Sequence, residues 1–541
     1  LQIRKNLDFL ATLFFETGVT YWAVSPGSRN APIVAAFVRH GGFELHSFPD
    51  ERCAAFAALG MSQATGYACG VICTSGTAVL NLYPAICEAF YQRIPMIVLT
   101  ADRPEELLDQ WDGQTIHQNQ IFEKHILESF ETPQNLGEKE CFKDLEKIIY
   151  TAVKTSITPI LGPVHINIPM RDPIYAGINE PFFQQMPEKH FVFVKPIDTK
   201  PDVAFLRAEL TQFRRILIVA GQHTADAHME PYMANIASKF PLLADITSNF
   251  SKFGMDGWEM GLQTVDENFD LQPELLITFG LSVTSKKLKQ FLRNFPPAEH
   301  WHISASGFTG DPFGSNPDTK TIEPISFFET VSEIAEIDNF DYLKSWNDFA
   351  EKGKTNYAPL QIKNTIYLTE FEIVRSILKH SDETVTLQIG NSMAIRYAGW
   401  EGKTNAEVHC NRGTSGIDGT LSTAVGYALA KPDKKIICVL GDVSFFYDSN
   451  GLWTDHLPPN LQIVIINNYG GKIFNYIDGP NQEPALMPLI QTPHKFDAEH
   501  IAAHFGIPYF SNTLPFIEEK LIEGLLQNQC CIYEYLIHED K

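Results

Sequence analysis

Basic residues are scarce in this 541-residue chain: 42 Lys and Arg stand against 65 Asp and Glu, a formal charge of −23. Nucleic acid and anionic membrane both need a basic face, so neither is an expected partner. Long apolar runs are missing as well. No stretch approaches the ~18 uninterrupted apolar residues of a membrane-spanning helix. No charged-then-apolar leader opens the sequence, and Leu1 in place of Met suggests either trimming or a recombinant start. The nine cysteines are odd in number and contain no CxxC pair. That pattern predicts a reduced cytoplasmic protein with buried thiols, without disulfide frame or zinc site. No GxGxxG follows the strands of the middle third, which leaves a dinucleotide site without support.

An apolar content of 44% with 20% charged residues is ordinary for a globular chain, and this length suggests three or four domains. The most informative stretch is residues 435–474, KIICVLGDVSFFYDSNGLWTDHLPPNLQIVIINNYGGKIF. Two unbroken aliphatic runs, 436–440 and 463–466, read as strands buried on both faces. The connection between them is long enough for a right-handed crossover, which opens both strand ends on one sheet edge. Open α/β sheets bind ligands at that edge. It carries the Asp442 carboxylate, the Asn468 carboxamide oxygen and the Gly470 carbonyl. A few hard oxygens of this kind suit magnesium, with manganese as its substitute. Gly-Asp after a strand is common, and Asn-Asn before Gly is more often a turn. Together, at this spacing, they resemble the thiamine-diphosphate motif.

The first third repeats a βα pattern, hence a doubly wound parallel sheet. Strand 21–24 opens into Ser25-Pro26-Gly27-Ser28-Arg29, where backbone N–H groups and a guanidinium can hold an anion; a plain loop with a surface arginine is the equal alternative. Strand 43–48 leads to Asp50-Glu51-Arg52 at a helix start, where an acid usually just complements the helix dipole. Strand 71–74 meets Thr74-Ser75-Gly76-Thr77, strand 96–100 meets Asp102-Arg103-Pro104, and a polar loop carries Gln114. After a Pro-rich linker at 181–201, strands 216–220 and 275–279 announce a second α/β sheet, ending near Lys286 and Lys287. Residues 337–365 are charged, aromatic and poorly periodic, and read as a second linker. In the last third, helix 370–380 and strand 384–388 precede Gly390-Asn391-Ser392 and Arg396. Ser392 and Arg396 share a helix face. Residues 411–419, NRGTSGIDG, combine Arg412 with glycines that let the backbone approach a ligand.

SPGSRNAP, DERCAAFAALG, TSGTAVLNLYPA, LTADRP and GPVHINIP, in that order, resemble the 2-succinyl-5-enolpyruvyl-6-hydroxy-3-cyclohexene-1-carboxylate synthases of menaquinone biosynthesis, a thiamine-diphosphate family. GNS…R, NRGxSGIDG and GGKIF add to the likeness, which is loose in the middle third. Three positions depart from the family pattern: Asn30, Gly113 and Lys287, the last replacing an arginine that would make a bidentate fork.

The resemblance implies three doubly wound parallel-sheet α/β domains: pyrimidine-binding at 1–180, central at 200–336 and diphosphate-binding at 366–541. It implies decarboxylation of 2-oxoglutarate and addition of the succinyl carbanion equivalent to isochorismate, with loss of CO2. Glu51 would serve the aminopyrimidine of thiamine diphosphate, an apolar pocket favouring a shared proton. Cofactor contacts would come from Glu51, Thr74, Gly76, Ser415, Gly416, Ile417, Gly441, Asp442, Ser444, Asn468 and Gly471. Asp442, Asn468 and Gly470 would hold the metal. Glu51, Ser392, Arg396 and Arg412 would be catalytic. Ser28, Arg29, Arg103, Gln114 and Lys286 would bind substrate, with Ile473, Phe474 and Ile477 as the wall that excludes water. The arginines would answer the dicarboxylate substrates of an otherwise acidic protein. The family's sites form between subunits, so a homodimer or homotetramer is expected. The rival readings are another thiamine-diphosphate 2-oxoacid decarboxylase, an acetohydroxyacid-synthase-like carboligase, and a non-catalytic paralogue whose mark would be loss of Glu51.

Overall fold

The computed structural model describes residues 2–537 except 176, 178, 194–199, 265–268, 336, 358–369, 477–478 and 513–528. Ile477 and the end of the second expected linker therefore lie outside the described residues. Every strand pairing is parallel, in three sheets. The first sheet holds β1 (Tyr21–Val24), β2 (Glu44–Ser47), β3 (Cys69–Cys73), β4 (Met96–Asp102), β5 (Ser129–Glu131) and β6 (Pro163–Pro169), ordered β2-β1-β3-β4-β6-β5. The central sheet holds β7 (Ile216–Ala220), β8 (Leu242–Ala244), β9 (Leu275–Phe279), β10 (Glu299–Ile303) and β11 (Asp318–Lys320), ordered β11-β10-β9-β7-β8. The third holds β12 (Val385–Ile389), β13 (Glu407–His409), β14 (Lys435–Gly441), β15 (Leu461–Asn467), β16 (Tyr509–Asn512) and β17 (Cys531–Leu536), ordered β13-β12-β14-β15-β17-β16. The first and third sheets thus have the same wiring.

Strands buried on both faces explain the unbroken aliphatic runs. In β14, Ile436, Cys438 and Leu440 point into a core shared with the first sheet's helices, while Ile437 and Val439 point into a core of the third sheet that Ile246 and Met260 of the central unit join. In β3, Val71 faces the shared core and Ile72 the opposite one. The shared core is closed by helix Glu51–Thr65 against helix Thr420–Ala430. Both are rich in Ala, Ser and Gly, and the backbones touch. A Cβ on Gly60 would lie 2.0 Å from the Thr423 carbonyl oxygen, and one on Gly426 2.0 Å from that of Ala57. Beside this crossing Arg52 pairs with the buried Asp448 at 2.7 Å.

The second expected linker is corrected: Phe340–Tyr357 is an 18-residue helix. Tyr342, Trp346, Phe349 and Ala350 recur at helical spacing and are buried against helix Trp258–Thr264, where Gly261 makes room for the Phe349 ring. The charged residues between them hide that period. Residues 181–193 of the first linker form neither helix nor strand and are strapped to the first unit: Phe183 N–H donates to Asp8 at 2.9 Å and Glu188 N–H to Glu146 at 2.7 Å. Among the described residues, no helix is long and apolar enough to cross a membrane.

Candidate active site

The carboxyl ends of β12, β14 and β15 open into a cavity of about 470 Å³, lined by residues of the last third only. On one side sits Asp442, 3% exposed at the start of helix Asp442–Asp448. Its Oδ1 accepts from Val443 N–H at 2.7 Å, and its Oδ2 from Gly470 N–H at 2.9 Å and His494 Nε2 at 3.1 Å. Burial pushes this carboxyl up, and the two N–H donors and His494 oppose it. Asn468 donates its Nδ2 to Glu370 at 2.7 Å, leaving its Oδ1 buried without a partner. Tyr397 holds the other Glu370 oxygen at 2.9 Å.

These residues fit a magnesium ion and a diphosphate. A buried carboxylate wants a cation to stay ionised, and the orphaned amide oxygen is a ready hard ligand. Asp442 is the one carboxylate of this donor set; among the described residues no group of three or more His, Cys, Asp or Glu could hold a metal. Gly441 faces open space, so a ligand can reach its backbone. Ser444 lies beside it and donates to the Ile417 carbonyl at 2.8 Å, tying the helix start to the loop that carries Ser415 and Ile417, both lining the cavity.

The same cavity carries two cations. Arg396, on helix Met393–Glu401, donates to the Ser392 carbonyl, and Arg412 donates to Asn391 Oδ1 at 3.0 Å. Both guanidiniums line the cavity. Arg396 is pushed down by burial first and then by Arg412 beside it. Neither makes an ion pair with a carboxylate among the described residues, so two like charges share a wall without a counter-ion. Ser392 at φ +75°, Ser415 at φ +63° and Tyr469 at φ +63° hold backbone shapes unusual for side-chain-bearing residues. Such strain gathers where a ligand must be met.

The structure brings Ser392, Arg396, Arg412, Ser415, Ile417, Gly441, Asp442, Ser444, Asn468, Gly470, Gly471, Ile473 and Phe474 to this one cavity. Gly416 stands in the same loop, its carbonyl accepting from Asn391 at 2.7 Å. The expected residues of the first third sit at the equivalent edge of the first sheet. Thr74 and Gly76 follow β3 and are buried. A Cβ on Gly27 would strike Thr74 at 2.3 Å, and one on Gly76 would lie 3.0 Å from Gln114, so these turns stack tightly. Arg103 donates to the Gly113 carbonyl at 3.2 Å, and Arg29 to that of Met170 at 3.1 Å. Burial pushes Asp102 up to about 6, against the pull of Asn167 and Arg103 N–H. Ser28 and Gln114 are exposed. Glu51 is half-buried and accepts from Asn81 at 3.1 Å. None of these lines the cavity of its own chain.

Lys286 is exposed at the start of helix Lys286–Asn294, away from the cavity lining. Lys289, three residues on, is the lysine that feels the arginines: burial, then Arg412, push it down, while Asp245 pulls it up. Sequence reasoning passed over it, and also over Glu370, Tyr397 and His494. Glu370 opens a helix after a stretch without pattern, and only its hydrogen bond to Asn468 gives it meaning.

Comparison with known proteins agrees with this division. Residues 5–125 match the thiamine pyrophosphate enzyme N-terminal TPP-binding domain, and residues 389–531 match the C-terminal TPP-binding domain. A 2-succinyl-5-enolpyruvyl-6-hydroxy-3-cyclohexene-1-carboxylate synthase of Cytophaga hutchinsonii is 37% identical over 516 residues, covering 92% of this chain and 89% of the relative. The enzymes of that name from Flavobacterium johnsoniae and Desulfotalea psychrophila are 35% and 34% identical, covering 93% and 94% of this chain and 90% and 94% of theirs.

Proposed function

The chain belongs to the family of 2-succinyl-5-enolpyruvyl-6-hydroxy-3-cyclohexene-1-carboxylate synthases, and from that membership we propose that it decarboxylates 2-oxoglutarate and joins the remaining four-carbon unit to isochorismate. The observation that carries the substrate class is that Arg396 and Arg412, without an ion pair among the described residues, line the same cavity as Asp442 and Asn468. Guanidiniums without a counter-ion are matched to carboxylates.

Asp442 and Asn468 would hold magnesium, the Gly470 carbonyl would complete the set, and Gly441, Ser444, Ser415 and Gly471 would cradle the diphosphate. Thiamine diphosphate, when bound, supplies the carbon nucleophile and the electron sink that the decarboxylation needs. Glu51 would exchange a proton with the aminopyrimidine ring. Arg396 and Arg412 orient substrate carboxylates, Ser392 offers a hydroxyl, and Ile473 and Phe474 keep water from the reacting carbon.

In one chain Glu51 does not reach the cavity. This supports the family's arrangement, in which the complete site would lie between two copies, the first unit of one facing the last unit of the other. Arg29, Arg103 and Gln114 would then approach the substrates from the partner's side. Product analysis with 2-oxoglutarate, with and without isochorismate, tests the reaction. Turnover of pyruvate with no isochorismate requirement would overturn it in favour of the decarboxylase or acetohydroxyacid-synthase-like reading. Light scattering on the active species tests the assembly; a fully active monomer contradicts it.

A further inference from the structure

Glu88 lies in helix Tyr83–Gln92 of the first unit and is 1% exposed, yet it is paired with no cation among the described residues. Its carboxylate is filled by the last unit of the same chain. Oε1 accepts from Gly413 N–H at 2.6 Å, and Oε2 accepts from Thr414 N–H at 2.7 Å and Thr414 Oγ1 at 2.6 Å. Gln92, one turn along the helix, donates to Oε1 as well. The two gripped peptide N–H groups follow Arg412 directly.

The fit is close. A Cβ on Gly413 would lie 2.7 Å from the Glu88 carbonyl oxygen and 2.9 Å from Oε1, so only glycine admits the carboxylate here. The rest of the turn is held by neutral groups. Gln222 of the central unit donates to the Cys410 carbonyl at 3.2 Å, Ser282 to that of Arg412 at 3.4 Å, and Asn391 to that of Asn411 at 2.7 Å. Glu88 supplies the one carboxylate in this set. A carboxylate accepts on both oxygens, whereas a glutamine would turn an NH2 toward an N–H donor.

We propose that Glu88 is a positioning residue: it fixes the turn behind Arg412 so that the guanidinium faces the cavity with its charge unpaired. A carboxylate paired directly with Arg412 would compete with the substrate for that charge. Directed at backbone N–H groups instead, Glu88 gives orientation without neutralisation. The inference rests on the reading of Arg412 as a carboxylate binder.

The test is a double-mutant cycle on the thiamine-diphosphate-loaded protein, combining Glu88→Gln with Arg412→Lys. Two readouts are taken: calorimetric affinity for glutarate, a dicarboxylate without the keto group, and kcat/KM for the condensation. In the wild-type background Glu88→Gln is expected to weaken glutarate about 10-fold and to lower kcat/KM for the condensation by a similar factor, through KM rather than kcat. In the Arg412→Lys background, where the flexible lysine stem follows the turn less closely, the same change costs less than about 2-fold. Thr414→Val removes a single hydroxyl and repeats the cycle with a 2- to 3-fold effect should Glu88→Gln fold poorly. Equal losses in both backgrounds, or none in either, overturn the proposal. A wild-type protein that binds glutarate with the expected coupling yet forms no condensation product leaves Glu88 in place and removes the functional reading.

Discussion

The first and third sheets have the same strand order and opposite equipment. After its third strand the first sheet places Thr74-Ser75-Gly76, and the third places Gly441-Asp442. After the fourth, one places Asp102-Arg103 and the other Asn467-Asn468. Past its first strand each opens a turn toward an arginine, Arg29 in one and Arg396 in the other. Topology has fixed where a ligand can be met, and the loop residues decide what is met. The third edge owns a cavity with a buried carboxylate and orphaned polar groups. The first edge is a set of tightly stacked turns that presents Glu51, Ser28 and Gln114 to the outside. Both edges bury a carboxylate, Asp102 in one and Asp442 in the other, and what separates them is the cavity that opens beside Asp442.

Three experiments bear on that difference. Glu51→Gln should have the largest effect, with condensation falling about 10²- to 10⁴-fold, the usual contribution of a positioned proton-exchanging group. Thiamine diphosphate should still bind, as measured by calorimetry. Near-full activity would mean that the first edge takes no part in the chemistry.

Arg52→Met comes next and tests how the two sheets are held together. Burial raises Asp448 to about 6, with Arg52 the largest opposing influence. A carboxyl raised above its unfolded value of about 3.9 contributes stability below pH ~4 and loses it as pH rises through about 6. Arg52 offsets the ionised form, so its removal should cost about 3–5 kcal/mol at pH 8, where a buried charge is left unpaired. Near pH 5 the carboxyl is mostly protonated and the cost should shrink. Denaturant melts at the two pH values read this; an equal loss at both would show that Arg52 acts through packing alone.

Asp442→Asn should be the mildest of the three, weakening magnesium-dependent cofactor binding by about 10- to 100-fold, the scale on which a disturbed metal site loses affinity. Titration of thiamine diphosphate at fixed magnesium measures it. An unchanged affinity would move the anchor away from the third edge.

Much of the fold was legible because buried parallel strands write themselves as aliphatic runs. Ile216–Ala220 and Leu275–Phe279 were predicted at their observed limits. Helix Phe340–Tyr357 was missed because Asp, Lys and Glu crowd between Tyr342, Trp346, Phe349 and Ala350. In the site, Asp442 and Asn468 were legible because each ends a strand whose partner is near in sequence. Glu88 was not: an acid inside a helix of mixed composition looks like a solvated face, and the N–H groups that fill it lie 325 and 326 positions away. Lys286 drew notice by its place at a helix start, while the turn of that helix half-buries Lys289 instead.

The crossing of Gly60 and Gly426 has a mechanical consequence. Two helices in backbone contact cannot slide or hinge without collision, because there are no side chains between them to repack. At this crossing the first and third units of a chain are therefore locked against sliding. Movement that admits substrate or releases product then falls to the loops around the cavity rather than to this crossing.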